Sequence, residues 1–146
     1  MILISHRGNI DGQNKDKENT PKYIMEAIKK GFQVEIDVRY VKGNFYLGHD
    51  APETKFKFDD YSPHISKLWI HCKNTRALCE LNKLDMRGVK LNYFSHDQDN
   101  AVLTSKGYIW SIHNVERGIL VMPESTGNLP SSNTIGICSD NIQKYA

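Results

Sequence analysis

Phe32-Gln33-Val34-Glu35-Ile36-Asp37-Val38 alternates strictly, with Val34, Ile36 and Val38 on one face and Glu35 and Asp37 on the other. That is the period of a β-strand, in which every second side chain points the same way. The branched face belongs against a core, and the two acids two residues apart must project together. Downstream, Gly43-Asn44 marks a turn between Val38-Arg39-Tyr40-Val41 and Phe45-Tyr46-Leu47. The returning strand carries His49-Asp50 back towards the carboxylates.

Upstream, Ile2 to Ser5 is a short β-rich run ending at His6-Arg7-Gly8, followed by a polar stretch from Asn9 to Asn19 without hydrophobic period. Thr20-Pro21 starts a helix with proline at its first position. Tyr23, Ile24, Ala27 and Ile28 form its apolar stripe, and Gly31 stops it. Beyond the hairpin, Ala51 to Ser66 reads as loop with a helical turn. Leu68 to Cys72 reads as a strand, Thr75 to Leu84 as a helix burying Leu78, Leu81 and Leu84, and Val89 to Phe94 as a further strand. Tyr108 to Ile112, Ile119 to Met122 and Thr134 to Cys138 are strands between loops rich in Gly, Asn, Pro and Ser, and a short helix can begin at Asn141. No internal repeat or low-complexity tract divides residues 1–146, so one domain is expected.

Strands that alternate with helices imply parallel β-α units. About seven strands in this order predict an α/β fold, a shortened TIM-type (β/α) barrel. A full barrel needs roughly 200 residues or more, so with 146 residues several outer helices must be missing.

The composition, 39% apolar and 25% charged, is that of a chain with a packed core. A formal charge of +2 is too small for general affinity to nucleic acid or anionic membrane, so any anion site must be local. Cys72, Cys79 and Cys138 are odd in number, and Cys72 and Cys79 lie in core-like segments. They read as reduced thiols. The start, Met-Ile-Leu-Ile-Ser-His, lacks the features of a secretory signal, and no apolar run is long enough to span a bilayer. A cytoplasmic location without an integral membrane segment is the expectation.

Four elements follow in order: His6-Arg7-Gly8, Glu18-Asn19-Thr20, Glu35-Ile36-Asp37 and Gly48-His49-Asp50. This ordered set resembles the signature of the glycerophosphodiester phosphodiesterase family. The resemblance is close over the first third of the chain. It continues weakly through Trp69 to Lys73, Tyr108 to Ser111 and Gly136 to Asp140, where the family carries a carboxylate with a lysine two residues on, a tryptophan, and a Ser/Thr-Asp pair. Three departures are visible: a longer loop from His6 to Glu18, a shortened insertion after His49-Asp50, and His71 where the family has its third carboxylate.

The resemblance implies a metal-dependent phosphodiesterase acting on a small phosphodiester. Such a catalyst must neutralise the non-bridging oxygens, activate a nucleophile and protonate the leaving alkoxide. Glu35 and Asp37 can hold a hard divalent cation, Mg²⁺ or Ca²⁺ by expectation. His6 and His49 suit proton transfer because imidazole titrates near neutrality. Arg7 and Lys73 are phosphate contacts by their charge. By resemblance Glu18 is a further ligand at the mouth and Asn19 orders the loop. The substrate's own hydroxyl can attack first, giving a cyclic phosphate.

Each reading has a plainer rival. Paired acids on a strand usually face solvent, and the position of Glu35 and Asp37 between two histidine motifs argues otherwise. His71 is a core residue, a metal ligand or a substrate contact, and as a ligand it weakens hard-cation binding and favours a transition metal. His64, His96 and His113 read as ordinary histidines. Trp110 is core packing or an aromatic face for substrate, and Asp140 reads best as a helix cap. The alternative function is a catalytically inactive phosphate-ligand binding module of the same fold. A nuclease would need a basic groove. A shortened barrel with exposed apolar edges makes a homodimer a modest expectation.

Overall fold

The computed structural model describes residues 1–146. The chain runs β1 (Ile2–His6), α1 (Pro21–Lys29), β2 (Gln33–Val41), β3 (Asn44–Leu47), β4 (Thr54–Phe56), a 3₁₀ helix (Phe58–Lys67) and β5 (Leu68–Cys72). It continues with α2 (Thr75–Met86), β6 (Asn92–Phe94), β7 (Ala101–Leu103), β8 (Ile109–Ser111), β9 (Gly118–Val121), α3 (Pro123–Thr126), β10 (Gly136–Ser139) and a 3₁₀ turn (Ile142–Tyr145). All ten strands belong to one sheet.

The local signals act where the sequence places them. Thr20 stands before α1 with Pro21 at its first turn, and Lys30 ends it before Gly31, whose φ of +95° ordinary residues avoid. Asn74 caps α2 by accepting from the Ala77 N–H at 3.0 Å. Lys42 and Gly43, at φ 49° and 82°, form a left-handed hairpin turn that pairs Val38 with Leu47.

Seven strands run parallel in the spatial order β6-β5-β2-β1-β10-β9-β8. β3, β4 and β7 add antiparallel pairs. The two ends of the parallel run approach each other. Ser105 N–H, just past β7, donates to Tyr93 O on β6 at 2.8 Å, and the Phe94 and Trp110 rings lie 4.8 Å apart. The result is a mixed α/β fold on a curled, half-barrel sheet with few helices.

The alternation of β2 sorts the two faces. Val34, Ile36 and Val38 are fully buried in the larger core, with Ile24, Ala27 and Ile28 of α1 and Ala77 and Leu81 of α2. Inside the curl, Ile4, Trp69, Phe94, Trp110, Ile119, Val121 and Cys138 form a second apolar cluster. Inward positions therefore come from alternate residues of nearly every parallel strand, the pattern expected where a sheet is covered on both faces.

Four points differ from the sequence reading. β4 and β7 are three residues each, too short to show a period. The Ala51 to Ser66 region holds β4 and a 3₁₀ helix of ten residues rather than loop with one turn. α3 is a single turn inside a loop. Cys79 is exposed, while Cys72 and Cys138 are buried; α2 turns Ala77 and Leu81 inward instead.

Candidate metal and acid–base centre

Parallel strands put all their carboxyl ends on one side, and the polar inward residues cluster there. His6 is the last residue of β1, paired in register with Glu35, and Asp37 is in register with His71 of β5. Asp140 follows β10 directly. Chain direction and period alone thus bring together residues up to 134 positions apart.

The turn after β1 does further positioning. Arg7 adopts φ 55°, a strained value for a residue with a side chain. Its N–H donates to Glu35 O at 3.0 Å, and its O accepts from Asn19 N–H at 3.1 Å. At Gly8 a Cβ would sit 2.8 Å from the Tyr23 ring, so only glycine lets the turn approach α1. Asn19, also left-handed at φ 54°, clamps Asp37 twice. Its amide nitrogen donates to Asp37 Oδ2 at 2.9 Å, and its carbonyl accepts the Asp37 N–H at 3.0 Å.

Glu35, Asp37 and His71 are buried and their ligand atoms lie within 4.8 Å of one another. His71 Nδ1 is 3.2 Å from Asp37 Oδ1 and 3.8 Å from Glu35 Oε1. The first contact is off the line a hydrogen bond needs, so Asp37 Oδ1 has no hydrogen-bond partner, and neither does Glu35 Oε2. Buried carboxylate oxygens without donors cost free energy. Convergent, unpartnered oxygens beside an imidazole fit a divalent metal, and these residues could bind one.

The two acids differ in their surroundings. Burial and then the Asp37 charge push Glu35 above the usual carboxylate range. Burial also works against ionised Asp37, but its contacts with His71 and the Arg7 guanidinium hold it well below that range. Arg7 Nε lies 2.9 Å from Asp37 Oδ2 and Nη1 lies 3.2 Å from Glu18 Oε2. Glu18 also accepts from Asn9 Nδ2 at 2.9 Å. Arg7 and Glu18 are therefore paired with each other at the edge of the centre, and Glu18 lies outside the three-residue metal group.

His6 has a carboxylate partner that local sequence reading misses. Its Nδ1 lies 2.7 Å from Asp140 Oδ1, so Nδ1 carries the proton, because an ionised carboxylate only accepts. Its Nε2 faces Glu35 Oε2 at 3.8 Å. Asp140 accepts from Asn9 Nδ2 at 2.8 Å, and its own N–H donates to Glu124 Oε1 at 2.7 Å. It does not cap the final turn, where Asn141 holds the cap position without a side-chain bond. The only signal was the Ser139-Asp140 pair at the end of the last strand.

Burial opposes the charge of His6, but the Asp140 hydrogen bond and the Glu35 charge hold it above its ordinary value. Burial likewise opposes the charge of Asp140, while His6 holds it below its own. The contribution of Asp140 is present above about pH 4 and is lost as pH falls through its folded value. That of His6 is present below about pH 6.5 and is lost as pH rises through its folded value. In denaturant titrations with chelator, the stability gap between the native chain and Asp140→Asn is expected to be widest between about pH 4 and 6.5. A gap that does not change with pH would mean the pair is uncharged.

His49 stands on the rim. Gly48, at φ +150°, passes so close to Ala51 that a Cβ would collide with its carbonyl, and its N–H donates to Asp37 O at 3.1 Å. Arg39 donates to the carbonyls of both Gly48 and His49. The His49 side chain is 41% exposed and bonds Asp50 at 2.7 Å. It lines a cleft of about 320 Å³ with Arg7, Lys15, Glu18, Asp50 and Glu53, and no hydrophobic residue lines that cleft. A larger cleft of about 540 Å³ lies elsewhere, between the β1–α1 loop and α1.

Lys73 follows β5 on the same side, its N–H bonded to Val38 O at 2.9 Å. The His49 hydrogen bond holds Asp50 below the usual carboxylate range, and burial and then the His71 charge hold His96 below its ordinary value; the Lys73 charge acts in the same direction on both. Trp110 packs inside the apolar cluster, 5.6 Å from Trp69, and is 5% exposed. His96, an ordinary loop histidine by sequence, stacks on His71 with centroids 4.3 Å apart and planes 12° apart. The signal was the inward alternation Asn92, Phe94, His96, which outlasts β6 by one step. No protein-family model, curated protein or solved structure matches the chain.

Proposed function

We propose that the chain is a metal-dependent phosphodiesterase of the glycerophosphodiester phosphodiesterase type, on a shortened TIM-type barrel, cleaving a small hydrophilic phosphodiester. The observation that carries this reading is the carboxylate-held His6, whose free nitrogen faces the Glu35–Asp37–His71 group. A purely binding site needs donors and positive charge. A histidine with its tautomer fixed by a buried carboxylate is the arrangement of a proton acceptor.

His6 Nε2 takes the proton of the attacking hydroxyl, from water or from the substrate itself. Asp140 stabilises the imidazolium that forms and does not take the proton. His49, on the open rim, donates a proton to the leaving alkoxide as the phosphorus–oxygen bond breaks. Lys15 and Lys73 bring positive charge to the phosphate, while Arg7, shared between Asp37 and Glu18, borders the cleft. A divalent ion on Glu35, Asp37 and His71 would supply the charge that neutralises the non-bridging oxygens. The cleft that Arg7 and His49 border beside the centre is lined by no hydrophobic residue, which supports a substrate without an acyl chain in it.

Turnover of bis(p-nitrophenyl) phosphate and glycerophosphocholine is expected with added divalent metal and is expected to stop with chelator or in Glu35→Ala. A lysophospholipid with a long acyl chain is expected to be the poorer substrate. Absence of turnover with every metal, alongside retained binding of glycerol phosphate, would replace this reading with a non-catalytic binding module.

A further inference from the structure

The metal-binding group is mixed in its donors. Glu35 and Asp37 offer oxygen, and His71 offers nitrogen. Magnesium and calcium are held by oxygen ligands and by negative charge, and here that charge is already contested. Arg7 Nε lies 2.9 Å from Asp37 Oδ2, and His6 Nε2 lies 3.8 Å from Glu35 Oε2. An imidazole as the third donor adds no negative charge, but it adds the ligand type that transition ions favour.

The imidazole is also held in place. His71 is 7% exposed, and its ring lies nearly parallel to those of Phe94, 5.2 Å away, and His96, 4.3 Å away. Its Nδ1 edge faces both carboxylates, at 3.2 and 3.8 Å. Glu35 Oε2 and Asp37 Oδ1 are buried without hydrogen-bond partners, so oxygen donors are open to a ligand beside the Nδ1 edge.

We infer that this site takes a first-row transition dication of the Mn²⁺, Fe²⁺, Co²⁺ or Zn²⁺ class in preference to Mg²⁺ or Ca²⁺, with His71 Nδ1 as the nitrogen ligand and His96 as the residue that positions the His71 ring. The inference rests on the metal-centre part of the function proposed above. It replaces the hard cation expected from the sequence.

The test is equilibrium binding of Mn²⁺, Zn²⁺, Mg²⁺ and Ca²⁺ to the full chain, by calorimetry and by competition with a chromophoric chelator. The native chain is expected to prefer Zn²⁺ and Mn²⁺. In His71→Asp the preference over Mg²⁺ is expected to fall by about tenfold or more. His96→Ala is expected to weaken binding, and His96→Phe, which keeps a stacked ring, to restore it. Electron spin-echo spectra of the native chain with Mn²⁺ are expected to show modulation from a coordinated imidazole nitrogen, a readout that needs no variant to fold. Bound Mn²⁺ without that modulation, or an unchanged preference in folded His71→Asp, would overturn the inference and leave a metal-dependent reaction standing. Failure to bind any of the four ions would overturn both.

Discussion

Asp37→Ala is expected to destabilise the metal-free protein by about 3–5 kcal/mol, the usual cost of removing one partner from a buried ion pair. Asp37 is fully buried, faces the Arg7 guanidinium at 2.9 Å and accepts from Asn19. Truncation leaves the Asn19 amide without its acceptor and leaves Arg7 only Glu18, while Arg7 and Asn19 are both held in left-handed backbone. The melting temperature should fall by about 10 °C. Glu35→Gln should do the reverse. Glu35 is 2% exposed, has an unpartnered oxygen and sits beside Asp37 with its carboxyl pushed up. A neutral side chain of the same shape removes that cost, so a gain of about 1–2 kcal/mol is expected with chelator present.

The two acids thus have opposite signs in stability and the same sign in metal binding. Metal is expected to stabilise the native chain by about 2.7 kcal/mol at one hundred times its dissociation constant, and to stabilise neither variant. Thermal unfolding with metal and with chelator checks all four outcomes. If Glu35→Gln were destabilised with chelator present, Glu35 would be a structural partner rather than a residue kept for a ligand.

His6→Ala is expected to lower kcat by about 10²–10⁴, the usual contribution of a positioned proton-transfer group. Asp140→Asn should lower it less, because a neutral partner still orients the ring but no longer stabilises the imidazolium. It should also shift the acidic limb of the pH–rate profile downwards, since Asp140 is one of the groups that raise His6. A merely structural role for Asp140 would reduce kcat without moving that limb. Steady-state kinetics across pH separates the two.

Much of the fold follows from signals within a few residues. The alternation at Val34 to Val38 divides the core from the inward acids, and the Gly43 turn, Pro21 and Gly31 set element ends. Strand order follows from alternating elements and parallel pairing. What local reading loses is partnership across the curl. Asp140 looks like a cap because a cap and a distant histidine ask for the same side chain, and only the pairing of β1 with β10 distinguishes them. His96 lies one step past the end of a three-residue strand, so its only mark is the last position of the short alternation Asn92, Phe94, His96. Arg7 reads as a phosphate fork from its chemistry, yet in the folded chain it is shared between Asp37 and Glu18.

The candidate centre was legible in residue type and order, since His6 and His71, at or beside the ends of β1 and β5, do converge with Glu35 and Asp37 from the first half and middle of β2. The position of His49 was legible only in part. The hairpin returns it to that side, on an exposed rim and bonded to Asp50. No helix is long and apolar enough to cross a membrane.

The most direct measurement is phosphorus NMR of glycerophosphocholine incubated with the purified chain, with Mn²⁺ or with chelator. With metal the diester resonance is expected to give way to glycerol phosphate or to a five-membered cyclic phosphate, and chelator or His6→Ala is expected to leave the diester intact. A diester resonance unchanged with Mn²⁺, Zn²⁺, Mg²⁺ and Ca²⁺ alike would contradict it.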